Sequence, residues 1–228
     1  MRRIFSGLIV TVLTAAPLAA QDAKNPNDWQ NSAGYITGLG GFQAATGSTT
    51  GDALIEGGVR VAPHVMVFGD LGWFRNLQSD LAPTLNTTVT SLQTNQGLSV
   101  TGGGTLPAVY SIGGVKLEMP VSNMFLPYVL GGAGIARLNP SPTFSFVGGV
   151  MPDGSSPTAG QDVTSALTTS GVFTVPTAST AFMYTLGGGV QVPIAPRVSV
   201  DLGYRLSRIN SDTPVNAQSL MAGVGFRF

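Results

Sequence analysis

Two stretches near the end of the chain decide the fold: VSVDLGYRLS at residues 198–207 and QSLMAGVGFRF at residues 218–228. In both, apolar residues alternate with polar or small ones, which is the pattern of a β-strand with one apolar face. In the first stretch the apolar face is formed by Val198, Val200, Leu202, Tyr204 and Leu206. Alternation by itself does not say whether that face points into a protein core or towards lipid.

Similar stretches recur along the whole chain and are separated by turn-forming residues. They predict eight strands, at residues 35–42, 54–61, 65–74, 108–118, 125–138, 181–192, 197–209 and 218–228. The links after the second, fourth and sixth strands are short and contain proline, whereas the other four are longer and richer in small polar residues. We therefore expect four long loops at one end of the strands and three short turns at the other.

An internal repeat supports this division. The sequence GGVR at 57–60 recurs as GGVK at 113–116 and as GGVQ at 188–191, each time just before a short turn. On the strand that follows the turn, DLGW at 70–73 matches DLGY at 201–204. The repeated unit is therefore a hairpin of two strands.

Composition excludes several classes of function. The 228 residues contain 11 Lys and Arg and 11 Asp and Glu, so no basic surface is expected for nucleic acid. Cysteine is absent and His64 is the one histidine, which leaves few groups for metal binding or nucleophilic catalysis. Because His64 falls in a predicted short turn, a surface role is favoured over that of a catalytic base. We expect no enzymatic activity, no cofactor and no metal site.

The first residues predict export. Two arginines precede an apolar stretch of about ten residues, half the length of a spanning helix, and small residues follow at 15–20. This pattern is typical of a signal peptide. We predict a signal peptide over residues 1–20, a periplasmic segment over 21–34 and a β-domain over 35–228.

Three features favour an apolar face that points towards lipid. The polar faces of the strands carry glycine and few charges. The chain carries an export signal and has an even number of predicted strands. Aromatic residues also gather near the strand ends, as the girdles of membrane barrels require. They are Trp73, Phe74, Phe182, Tyr184, Tyr204, Phe226 and Phe228.

With its export signal, eight predicted strands, hairpin repeats and alternating last strand, the chain resembles the small outer-membrane β-barrel superfamily, which includes opacity proteins and the OmpA transmembrane domain. The resemblance implies an all-β fold, a closed antiparallel up-and-down transmembrane barrel in the outer membrane of a diderm bacterium. It also implies that Val224, Phe226 and Phe228 form a signal for the outer-membrane insertion machinery.

An eight-stranded barrel has an interior that side chains can fill. The charged residues predicted to face inward are four acids and four bases, which suits a paired network because buried unpaired charges are costly. They are Glu56, Arg60, Asp70, Lys116, Glu118, Asp201, Arg205 and Arg227. A lumen filled in this way disfavours general porin activity.

The long loops at 76–106 and 139–179 are rich in Ser, Thr and Gly and are nearly uncharged. Loops on a rigid scaffold are common binding sites, so a structural or adhesion-like surface role is expected, with outer-membrane lipids and an extracellular ligand at these loops as partners. Phe144 and Phe146 are expected either to extend a strand or to pack over the barrel mouth. The alternatives are a channel for small solutes or lipophilic ligands, and a soluble periplasmic β-sandwich binding protein.

Overall fold

The computed structural model describes residues 32–45, 48–77, 82–121 and 124–228. The predicted signal peptide lies outside these residues, as does all of the predicted periplasmic segment except Ser32, Ala33 and Gly34. No helix in the described part of the chain has both the length and the apolar character that a membrane span needs.

Within the described residues, the chain forms ten strands and two helices. They are β1 (Gly34–Ala45), β2 (Ser48–Ala62), β3 (Val65–Phe74), α1 (Ala82–Gln96), β4 (Ser99–Thr105), β5 (Ala108–Glu118), β6 (Leu126–Leu138), β7 (Ser141–Gly148), α2 (Thr164–Thr169), β8 (Ser179–Ala195), β9 (Val198–Asn210) and β10 (Val215–Arg227). Within the described residues, each of the eight predicted strands corresponds to one of these elements.

Those eight strands close into one antiparallel barrel in the order β1-β10-β9-β8-β6-β5-β3-β2. The seam is the pair β1–β10, which runs from Tyr35↔Arg227 to Ala45↔Ala217. Every barrel strand therefore has a hydrogen-bonded neighbour on both sides, and no backbone edge is left for lipid, which could not satisfy it. The predicted fold is confirmed.

The two faces of the strands differ as the alternation predicts. On β9, Leu202 is 49 % exposed while its neighbour Asp201 is 1 % exposed. The same contrast holds around the barrel, where large apolar side chains point outwards, among them Ile36, Ile55, Leu71, Val109, Ile135, Leu186, Leu220 and Val224. A soluble sandwich would bury these side chains, so that alternative is not supported.

One of the seven aromatic residues assigned to the girdles, Phe74, does not face outwards. The other six aromatic residues assigned to the strand ends are at least partly exposed, but Phe74 is 1 % exposed. Its ring stacks on that of Tyr110 with 4.7 Å between the centroids. Because neighbouring residues on a strand point to opposite faces, Trp73 takes the outer face and Phe74 must take the inner one.

Two of the four connections at the loop end are shorter than predicted. β1 and β2 stay paired up to Ala45↔Ser48, so most of the predicted loop 43–53 is strand, and only residues 211–214 join β9 to β10. The polar residues that indicated loops lie on strands that continue past the apolar band, where outward polar side chains such as Asn216 and Gln218 are exposed.

The two long connections fold together into a unit that we call the outer subdomain, residues 82–105 and 141–173. Its β4 and β7 pair from Ser99↔Gly148 to Thr105↔Ser141. The Asn139 amide donates to the Pro107 carbonyl at 2.9 Å, which joins this ribbon to the β5–β6 pair of the barrel. β7 therefore extends β6 beyond the barrel. Extension of a strand is one of the two expectations for Phe144 and Phe146.

The outer subdomain has an apolar interior. The rings of Phe144 and Phe173 meet edge to face with 4.8 Å between centroids. They belong to a buried apolar cluster that continues into the barrel; its other members in the outer subdomain are Leu85, Leu92, Leu98, Val100, Phe146, Met151, Val163 and Leu167. At the end of α1, Gly97 adopts a φ of +63°, a left-handed cap that glycine favours. The ordered loops are therefore held by packing rather than by charge.

Candidate functional site

Glu56 is the centre of the charged groups inside the barrel. Its Oε1 accepts hydrogen bonds from the Tyr35 hydroxyl at 2.6 Å and from Lys116 Nζ at 2.7 Å. Its Oε2 pairs with the Arg205 guanidinium, which also pairs with Asp70. The Glu56 carboxylate on β2 thus binds side chains from three other barrel strands, β1, β5 and β9.

A second cluster lies towards the end of the barrel that carries the short turns. Glu118 accepts from Arg60 at 2.9 Å and from Arg227 at 2.5 Å. Arg227 also bonds to Gln191, and Arg60 Nε donates to the carbonyl of Ser32 at 3.0 Å. These residues lie near the ends of their strands, so the cluster closes the lumen at this end.

Asp201 connects the two clusters. It accepts from the Tyr128 hydroxyl and from Gln191 Nε2, both at 2.7 Å, and lies 3.9 Å from Lys116 Nζ. The Lys116 ammonium also lies 3.9 Å from the centroid of the Tyr128 ring and 4.5 Å from that of Tyr35. Cation–π contacts of this kind stabilise a desolvated ammonium.

The structure thus brings all eight predicted luminal charges into ion pairs that cross the interior. Seven of them are at most 5 % exposed, and the Arg60 side chain is 17 % exposed. The outer face of the last strand carries the three residues of the predicted insertion signal, with Val224 57 %, Phe226 43 % and Phe228 40 % exposed.

Sequence reasoning missed the inward tyrosines. Tyr35 lies directly opposite Gly58, Tyr110 opposite Gly72, and Tyr128 opposite Gly189. A Cβ at Gly58 or Gly72 would overlap the tyrosine ring, and one at Gly189 would lie 2.6 Å from the Tyr128 hydroxyl oxygen. All three pairs join strands that are connected at the loop end, so their register could not be counted from a short turn.

Asp52 was also missed, because it lay in a predicted loop. It is 5 % exposed, and within the described residues neither of its carboxylate oxygens has a hydrogen-bond partner. Nε2 of Gln43, on the neighbouring strand, is likewise without a partner in that part of the chain. Asp52 is therefore a fifth inward carboxylate that none of the four inward cations pairs with directly.

The outer subdomain presents an uncharged polar surface around α1. A groove runs between α1 and the residues after α2, lined by Thr87, Thr88, Ser91, Leu92, Asn95, Gln96, Gly171 and Val172. The sequence has no charged residue between positions 82 and 107. Asp162 is near the surface of the same unit, where hydrogen bonds from the Thr164 hydroxyl and amide hold the pKa of its carboxyl below the ordinary value.

Several solved structures align with this chain over most of its length. Neisserial surface protein A aligns with a TM-score of 0.53 at 15 % identity, over 86 % of this chain and 98 % of that one. The attachment invasion locus protein Ail of Yersinia pestis aligns with a TM-score of 0.44 at 15 % identity, over 86 % and 97 %. The outer membrane protein OprG of Pseudomonas aeruginosa gives 0.43 at 10 % identity, over 86 % and 97 %. No curated protein matches the chain.

The family model of the outer membrane protein beta-barrel domain matches residues 8–228. That match covers nearly the whole chain, and the closed barrel with its apolar outer face agrees with it. The protein therefore belongs to the family of the outer membrane protein beta-barrel domain and resides in the outer membrane of a Gram-negative bacterium.

Proposed function

We propose that this barrel is a non-enzymatic surface-interaction protein, which displays the outer subdomain at the cell surface. The observation that carries the proposal is the buried core of that subdomain, where Phe144 and Leu167 are both 0 % exposed. Burying such a core orders long loops that the barrel does not need for insertion in lipid, at a considerable cost in conformational entropy. Ordered loops on a rigid barrel suit recognition of an extracellular partner.

The lumen supports a role at the surface rather than in transport. Arg205, Glu56, Lys116 and Asp201 bond to one another across the interior, and moving a solute through would require these pairs to separate. Separated charges in a narrow barrel are costly. A channel for small solutes is therefore the weaker proposal.

The positions of the titratable groups support a role without catalysis. His64 is exposed in the turn between β2 and β3, at the end of the barrel opposite the outer subdomain. In the subdomain, Asp153 and Asp162 each accept hydrogen bonds from the hydroxyl and the amide of the residue two positions later. These carboxylates stabilise local turns, which accounts for their positions.

The proposal is tested by removing the outer subdomain. In the test variant, short turns replace residues 78–105 and 141–177, so that β3 joins β5 and β6 joins β8 directly. We expect this variant to reach the outer membrane and keep heat-modifiable gel migration, because the ion-paired lumen and the seam are untouched. Attachment of expressing bacteria to epithelial cell layers is expected to fall to the level of bacteria without the protein. Attachment equal to that of the native barrel would contradict the proposal.

We also propose that Val224, Phe226 and Phe228 are recognised by the outer-membrane insertion machinery. All three point outwards from β10, the strand that closes the seam. The Gly34 amide donates to the Phe228 carbonyl at 2.8 Å, and the Phe228 amide donates to the Gly34 carbonyl at 3.0 Å. The last residue therefore belongs to the closing pair of strands as well as to the proposed signal.

Deleting Phe228 is expected to lower the yield in the outer membrane and to leave protein in the periplasm, as measured by fractionation and immunoblotting. Phe42→Ala is the matched control, because Phe42 is a 72 % exposed outward aromatic on the other seam strand and lies outside the signal. The control should assemble normally. A normal outer-membrane yield of the truncated chain would show that the signal does not depend on Phe228.

A further inference from the structure

We propose that the outer subdomain binds a neutral oligosaccharide in the groove between α1 and the residues after α2. This inference rests on the proposed surface role and names the chemical class of the partner. We call the site the α1 groove, and its polar wall is formed by Thr87, Thr88, Ser91, Asn95 and Gln96.

The composition of α1 is the first argument. The helix has 15 residues, APTLNTTVTSLQTNQ, without one acidic or basic side chain. Exposed helix faces are usually rich in Glu, Lys and Arg, which are also better helix formers than Thr, Asn and Ser. The exposed face of α1 has few of the best helix-forming residues and no surface charge. Such departures from the usual sequence preferences are expected at functional sites. The exposed face of α1 is therefore a candidate binding surface.

The geometry of the wall is the second argument. Ser91 and Asn95 are four residues apart and so lie on the same face of the helix, one turn from each other. Asn95 Nδ2 donates to the Ser91 hydroxyl oxygen at 3.1 Å, which orients both groups. The Ser91 hydroxyl can then donate to a ligand, and the Asn95 carbonyl oxygen can accept from one. Sugar hydroxyls, which donate and accept at the same atom, match this mixed set.

Apolar residues also line the groove. They are Leu92, which is 2 % exposed, and Val172, which is half-buried. At Gly171, another lining residue, no described residue other than its chain neighbours has a heavy atom within 4 Å of the place where a Cβ would be, so this part of the groove is open. Apolar groups beside hydrogen-bonding groups suit the C–H faces and hydroxyl edges of a sugar ring.

Charge decides which saccharides fit. The sequence has no Lys or Arg between positions 82 and 107 or between 141 and 178, whereas the second range contains Asp153 and Asp162. Sulfate, phosphate and carboxylate groups are recognised mainly by cationic side chains. Among the described residues that line it, the groove also has no aromatic or arginine side chain of the kind that anchors typical protein–protein interfaces. A neutral saccharide therefore fits better than an anionic glycan or a protein.

The test uses the full barrel in lipid nanodiscs and a panel of immobilised neutral oligosaccharides built from glucose, galactose and N-acetylglucosamine, with sialylated and sulfated counterparts. We expect binding to at least one neutral member and weaker binding to its charged counterparts. Ser91→Ala combined with Asn95→Ala should weaken that binding by about tenfold or more, since the change removes two groups that hydrogen-bond the ligand. Asn216→Ala, an exposed change on the outer end of β10, should leave it unchanged.

Both variants change exposed polar side chains and should keep native heat-modifiable migration. Binding to charged probes alone, or binding that the double variant leaves unchanged, would overturn the assignment of the α1 groove, as would a panel without any bound member. If the double variant still supports attachment of bacteria to epithelial cells while the barrel without the subdomain does not, the surface role stands and the saccharide site is wrong.

Discussion

Glu56→Gln is expected to destabilise the barrel by about 3 to 5 kcal/mol, the cost of removing one partner from a buried ion pair. Glu56 is 0 % exposed and pairs with both Lys116 and Arg205. A neutral amide keeps the shape of the side chain but leaves two buried cations with less compensating charge. The measurement is reversible urea unfolding of the native and substituted barrels in lipid vesicles.

Asp52→Asn is the matched control for this change. It also turns a buried inward carboxylate on β2 into an amide, but within the described residues the Asp52 oxygens have no hydrogen-bond partner. Asp52 takes part in no ion pair among the described residues, so its replacement by a neutral amide should cost much less than Glu56→Gln. If both substitutions cost the same small amount, the lumen is hydrated and its ion pairs contribute little to stability.

The positions of the barrel strands and their faces could be predicted because one physical constraint repeats along them. Every strand must turn apolar side chains to lipid and small or polar ones to a narrow lumen, so the period of two is visible in residues 198–207. Charges such as Glu56 and Arg205 are rare in this chain, and their position on the inward face identified them. Which charges pair could not be predicted, since that depends on how the strands stagger around the barrel.

The outer subdomain could not be predicted for the opposite reason. Thr, Asn and Gly are typical of loops, and only tertiary packing turns such segments into α1 and β4. One signal was present: Leu85, Val89 and Leu92 recur at helical spacing between Pro83 and Gly97. Asp52 was missed because polar residues near the strand ends looked like a loop, although backbone pairing continues there.

Leu202→Arg tests the outward face of the barrel and is expected to cost about 2 to 4 kcal/mol, the range for a cation on the lipid side near the bilayer centre. Leu202 lies in the middle of β9 between Val190 and Ala222, and its outward side chain is 49 % exposed. Lipid cannot solvate the guanidinium, and no carboxylate lies among the described outward residues of β8, β9 and β10 around it. Unfolding in lipid vesicles measures the cost.

Two controls separate charge from size and from position. Leu202→Ala removes the same apolar contacts without adding charge, so it should cost less than Leu202→Arg. Ser199→Ala removes an inward hydroxyl that has no hydrogen-bond partner among the described residues, so its effect should be below about 1 kcal/mol. A Leu202→Arg barrel as stable as the Leu202→Ala barrel would mean that this face meets water, because only lipid makes the charge more costly than the lost side chain.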